Sequence, residues 1–226
     1  MIGLLVRALG DAFQPAVARY LIWSLVIAGA IFFALLAAAG YAIATTRVME
    51  AAWLEWLVDA LGGMAALMAA WLIFPAGLGL ISGFFLESVA GAVEARHYRD
   101  PGPARDPRLG EILAVAARFG LLIVAVNLAA LPLYAVVMWL PPLNLALYTV
   151  INGYLLGREY FELVSLRHRD PVETRAAWRQ DKGRLWFAGA AVAVLSAIPF
   201  AGLLMPLVAT AFMVHIYQAL RATREA

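Results

Sequence analysis

Residues 185–214 carry no charged side chain, yet two prolines seven apart, Pro199 and Pro206, interrupt the run in its middle. A spanning helix needs about 20 apolar residues and two need about 40, so the run is too long for one comfortable crossing and too short for two. Its first arm, residues 186–198, rises only about 20 Å at 1.5 Å per residue, short of the roughly 30 Å hydrocarbon core. The pattern predicts a hairpin that penetrates partway and returns, over residues 185–220. Pro199 would close its first helix, Pro206 would open the second, and Trp186 and Tyr217 would sit at the two mouths as interfacial anchors. Bare backbone at such a tip is costly in lipid, so it must be covered by protein or face a water-filled cavity. That points to a pore, an oligomer, or both.

Three further uncharged runs precede it: residues 21–44, 61–86 and 119–157. With 64% hydrophobic and only 14% charged residues, against about 25% charged in soluble domains, the chain is read as an integral membrane protein in a single membrane domain. Transmembrane helices are expected over residues 20–45 and 61–93, the second kinked at Pro75. The run with Pro132, Pro141 and Pro142 is read as a first hairpin, residues 112–166. Setting Pro142 on Pro199 also sets Tyr160 on Tyr217 and Leu163 on Leu220, as in a repeated discontinuous element of a transport protein. Being longer than its partner, this hairpin is also compatible with two full spans.

At the start of the chain, Ile2, Leu5, Val6, Leu9 and Phe13 share one helical face and Arg7, Asp11 and Gln14 the other, the pattern of an amphipathic helix over residues 1–14 lying along the membrane surface. Pro15 suits the first turn of the helix that follows. The apolar run after it is longer than a signal-peptide core, so cleavage is not expected. Residues 45–60 hold one basic residue, Arg47, against Glu50, Glu55 and Asp59, whereas residues 94–118 and 158–184 hold most of the basic residues. The positive-inside rule therefore places both termini, and the basic linker over residues 167–184, in the cytoplasm.

Several chemistries are excluded or given no support. A net charge of +2 with dispersed arginines is not a nucleic-acid footprint. The absence of cysteine excludes disulfides, thiol catalysis and thiolate metal sites. His97, His168 and His215 lack ligand spacing, so no metal site and no cofactor are expected. Nor does any Ser, His and carboxylate grouping suggest an enzyme. Glu87 and Glu94, seven apart, share a helical face, where an ordinary wet helix end competes with a proton relay. Gly79 and Gly83 have the spacing that lets helices approach closely. Asn152 is the clearest polar residue inside the first hairpin and Arg158 and Glu159 abut its YLLG stretch, each either lining a pore or pairing structurally.

Residues 152–212, from NGYLLGREYFELV through the IPxxxLxMP turn and the following Ala209, Thr210 and Ala211, resemble the CysZ sulfate-permease family, also called the etoposide-induced protein 2.4 family. The Glu159 and Tyr160 pair, the basic linker before the last hairpin, and the stretches VAGAVEARHY and QPAVARY fit as well. The resemblance implies an all-helical fold with two long transmembrane helices and two partially inserted hairpins, assembled as a homo-oligomer in the bacterial inner membrane and moving sulfate or a similar oxyanion inward. It also implies an anion site before the first crossing, where the family tends to read Pro-Gly-Leu-Arg-Arg. Here Pro15 and Arg19 are kept, but Ala16 and Ala18 replace the glycine and the other arginine. A non-transporting membrane scaffold or bilayer-shaping protein of the same fold is the alternative.

Overall fold

The computed structural model describes residues 1–46, 52–105, 107, 109–198 and 201–225. Among them the chain is all-helical: α1 (Ile2–Ala12), α2 (Pro15–Thr45), α3 (Ala52–His97), α4 (Leu109–Val137), α5 (Pro141–Ser165), α6 (Pro171–Gln180), α7 (Lys182–Ser196) and α8 (Ala201–Glu225). Among the described residues two helices are long and apolar enough to cross a membrane, α2 and the Leu113–Val137 part of α4. Along α2 the apolar side chains of Ile22, Trp23, Val26, Ile31, Phe33 and Leu35 point outward, which water would penalise and lipid would not.

The helices fall into two compact units, Ala18–Leu86 and Met1–Val17 with Glu87–Ala226. In the first, α2 and the leading part of α3 run antiparallel. Ile43 lies over Gly62, Phe32 meets Phe74 edge-on at 5.2 Å, and Tyr20 meets Phe85 at 5.7 Å. Helix α3 begins at Ala52, so it takes in residues 52–60 of the segment read from sequence as the connection over 45–60. The segment AWLEWLVDAL is made mostly of good helix formers, which extend the helix well before the apolar run starts at residue 61. Pro199 and Arg47 lie outside the described residues.

In the second unit α8 is the core element. Every residue from 207 to 218 is buried, so this stretch is enclosed on all sides, with Thr210, His215 and Gln218 buried among its apolar residues. It packs against α1, α5 and α7, and α5 packs along α7 and α4. Where α5 crosses α7 the backbones touch: a Cβ at Gly157 would lie 2.5 Å from the Leu185 carbonyl oxygen, and one at Gly153 3.0 Å from the Ala190 Cα. Residues 153 and 157 form a small-xxx-small pair, the device that lets helices approach closely. Helix α6 is set by sequence: Asp170 accepts from the Val172 and Glu173 amides, Glu173 reaches back to the Asp170 amide, and Pro171 takes the first turn, a complete capping box.

Two local expectations are corrected. Pro206 lies inside α8, which begins at Ala201. As the sixth residue of α8 it lies beyond the four amides that lack an intrahelical partner, so it forfeits one bond, to the Gly202 carbonyl, which the rest of this buried helix offsets. Tyr217 is 4% exposed rather than at an interface: it stacks on His168 at 5.6 Å and lies under the Arg169 guanidinium at 5.5 Å. The outward face of α1 is its apolar one, with Ile2, Val6 and Phe13 exposed while Ala8, Asp11 and Ala12 are buried.

Candidate functional site

Pro15 opens α2 and Arg19 follows one turn later. Both are exposed. Arg19 Nη2 donates to the Tyr20 hydroxyl at 2.9 Å, and its guanidinium lies 4.8 Å from the Tyr20 ring centroid. That engagement is local and weak enough to be exchanged for an anion. Of the amides in this first turn, Val17 N–H is already taken by the Gln14 carbonyl.

In α5, Arg158 pairs with Glu162 one turn on, Nε to Oε1 at 2.8 Å, and not with its neighbour Glu159. Four-residue spacing puts both side chains on one helix face, where adjacent residues diverge. Asn152 donates to the Tyr148 carbonyl of its own helix at 3.0 Å, so no interhelical bond is made by that donor. Arg158 also faces Arg118 of α4 and Arg175 of α6 around a small cavity shared with Thr174 and Glu162. Three guanidiniums against one carboxylate make it a basic hollow, but its volume of about 20 Å³ holds about one water, so an oxyanion needs α4 or α6 to move.

A second set of polar groups lies near the end of α3. Arg167 reaches Glu87 at 3.2 Å and Glu94 at 3.3 Å, and His168 Nε2 donates to Glu94 at 2.8 Å while its Nδ1 lies 3.2 Å from the Pro103 carbonyl. Glu94 is thus a buried anchor held by Arg167 and His168 and not a wet helix end, while Glu87 is 72% exposed. Arg105 forks onto both Glu111 oxygens at 3.0 and 3.1 Å and donates to the Arg169 carbonyl at 2.7 Å, and the Glu111 hydrogen bond holds the guanidinium above its usual range. Val172 and Glu173 amide donation lowers the Asp170 carboxyl.

A third group was invisible to spacing. Asp11 Oδ1 lies 2.7 Å from His97 Nε2, Asp11 Oδ2 lies 2.8 Å from His215 Nε2, and His215 Nδ1 lies 2.8 Å from the Tyr98 hydroxyl. Burial pushes the Tyr98 phenol up, against the Arg7 charge that lowers it. These residues are 86 and 204 positions apart along the chain, so no window of sequence contains them. The sole hint was a lone acid, Asp11, on a helix whose other face is apolar.

The family model described as Sulfate transporter CysZ/Etoposide-induced protein 2.4 matches residues 4–206 of the chain. No curated protein matches it.

Proposed function

The chain belongs to the sulfate transporter CysZ/etoposide-induced protein 2.4 family, and from that premise we propose that it is a CysZ-like permease or channel carrying sulfate, or a similar small oxyanion, into the cell. The match over nearly the whole chain is the observation that carries this reading. The host membrane in the proposal is the bacterial inner membrane, entered several times. Apolar surface on α2 and α4 faces outward as lipid contact requires, and α1 turns Ile2, Val6 and Phe13 outward, which suits a helix lying in the interface.

Helix α7 has 15 residues and rises about 22 Å, too little for a full crossing, which supports a partially inserted hairpin of α7 and α8. The corresponding hairpin of α4 and α5 is less short: the 25-residue Leu113–Val137 part of α4 reaches about 37 Å, enough to span. Backbone at the hairpin tips needs protein cover, which favours a homo-oligomer. With the basic linker cytoplasmic, both termini are cytoplasmic as well. Arg19 and the helix start at Pro15 are the proposed anion contacts; Asn152, Arg158 and Glu159 serve the packing of α5 or the path through it.

Protein reconstituted into sealed liposomes should admit labelled sulfate faster than empty liposomes do. Uptake at the empty-liposome rate, with insertion and folding verified, refutes transport and leaves the scaffold or bilayer-shaping reading.

A further inference from the structure

Asp11 from α1, His97 from the last turn of α3 and His215 from α8 converge so that one ligand atom from each lies within 4.8 Å of the others. Two histidines and a carboxylate form a ligand set for a borderline first-row divalent ion, with a fourth position left to water. We propose that these three residues bind one such ion, zinc or a chemically similar divalent metal, and that the ion clamps α1 onto the end of α3 and the middle of α8.

Beyond convergence, the surroundings have the form of a ligand shell. Both histidines face Asp11 through the same atom, Nε2, and each addresses a different carboxylate oxygen. Two outer contacts hold the ligands in place. Tyr98 hydroxyl bonds the far nitrogen of His215, and Gln14 Nε2 donates to Asp11 Oδ1 at 2.9 Å. Such partners orient ligand rings and carboxylates in metal sites.

The chemistry balances without an added reagent. Unmetallated, the two Nε2–H groups donate to the carboxylate, and His215 Nδ1 accepts from Tyr98. When the ion binds, each neutral ring keeps its proton but moves it to Nδ1, freeing Nε2 to ligate; the Tyr98 oxygen then accepts from His215. With metal–ligand bonds of about 2.0–2.2 Å, ligand atoms in a tetrahedral shell lie about 3.4 Å apart, so the 2.7 and 2.8 Å contacts to Asp11 must open slightly while the widest separation, within 4.8 Å, closes. His97, whose side chain is 18% exposed against 3% and 0% for Asp11 and His215, is the one free to move and marks the way in.

The test uses the full chain in detergent, prepared without a histidine tag and stripped of metal. Titration with Co²⁺ alone should give one ion per chain with the visible absorption of a tetrahedral site, and Zn²⁺ should displace it and raise the thermal midpoint. X-ray absorption of the zinc-loaded parent should show two imidazoles in the first shell, a result that depends on no variant. Affinity should fall at least tenfold in Asp11→Asn and His97→Gln, and by about ten- to a hundredfold in Tyr98→Phe, whereas His168→Gln should bind as the parent does. A parent that binds no stoichiometric Co²⁺ or Zn²⁺ overturns the proposal, as does a zinc shell without imidazole or parental affinity in Asp11→Asn and His97→Gln. A clamp made of hydrogen bonds alone would give the first of these results.

Discussion

Gly157 of α5 and Gly189 of α7 meet backbone to backbone, so that a Cβ built on Gly189 would collide with the main chain of both Gly157 and Gly153. Backbone cannot swing aside as a side chain can. Gly189→Ala and Gly157→Ala must therefore force the helices apart, at a cost of at least the 1–3 kcal/mol or so typical of overpacking. Gly183, also in α7, has open space around it, and Gly183→Ala should hold or raise the thermal midpoint through helix propensity. Unfolding in detergent followed by tryptophan fluorescence ranks the three. Equal midpoints for Gly183→Ala and Gly189→Ala would show that the crossing is looser than described.

The cap on α6 predicts a pH dependence. Asp170 is lowered chiefly by the Glu173 and Val172 amide bonds, so its folded value lies below its unfolded one. Its stabilisation is therefore complete above the unfolded value, about 3.9, and is lost as pH falls through the lower folded value. Asp170→Ala should lower the midpoint at neutral pH, and the gap to the parent should close below about pH 4. A gap that stays constant down to acid would assign the loss to packing instead of the charged cap.

Topology is testable because the chain contains no cysteine. With the linker cytoplasmic and residues 45–60 outside, an impermeant thiol reagent on intact cells should label Arg47→Cys and spare Arg169→Cys. Equal labelling of both would contradict the orientation, unless the protein inserts both ways, in which case each variant labels to about half.

The helical class was legible because uncharged runs too short or too long for spans leave few alternatives, and the family was legible because its motifs are contiguous. The close helix crossing was missed for a different reason. Gly79 and Gly83 drew the argument by sitting in a transmembrane run, while Gly153 and Gly157 in NGYLLG have the same spacing, and only their partner Gly189, on another helix, gives that spacing meaning. Pro206 was misplaced because a proline's cost depends on how far it lies from the helix start, which sequence leaves open by a turn. Asp11, His97 and His215 come from three separate helices, and long-range convergence of that kind leaves no periodic trace. Their pairing needed the fold.

The anion site poses a choice between two kinds of donor. Arg19 engages Tyr20 through one hydrogen bond and its ring face, leaving most of a planar fork available beside the helix start at Pro15. If this is the sulfate contact, Arg19→Ala removes a charge-assisted bond worth about 1.5–3 kcal/mol, weakening binding roughly ten- to a hundredfold. Arg19→Lys should restore only part, since lysine supplies a point charge without the fork. Ala18→Arg, which returns the second arginine of the resembling motif, should tighten binding. If Arg19 merely snorkels to the interface, calorimetry at fixed ionic strength will give equal affinities for the parent, Arg19→Ala and Arg19→Lys. The anion would then belong at the helix starts beyond the proline turns, where positive dipole ends are the remaining attraction. A parent that binds no sulfate while Ala18→Arg does would mean that the fold was kept and the original substrate lost.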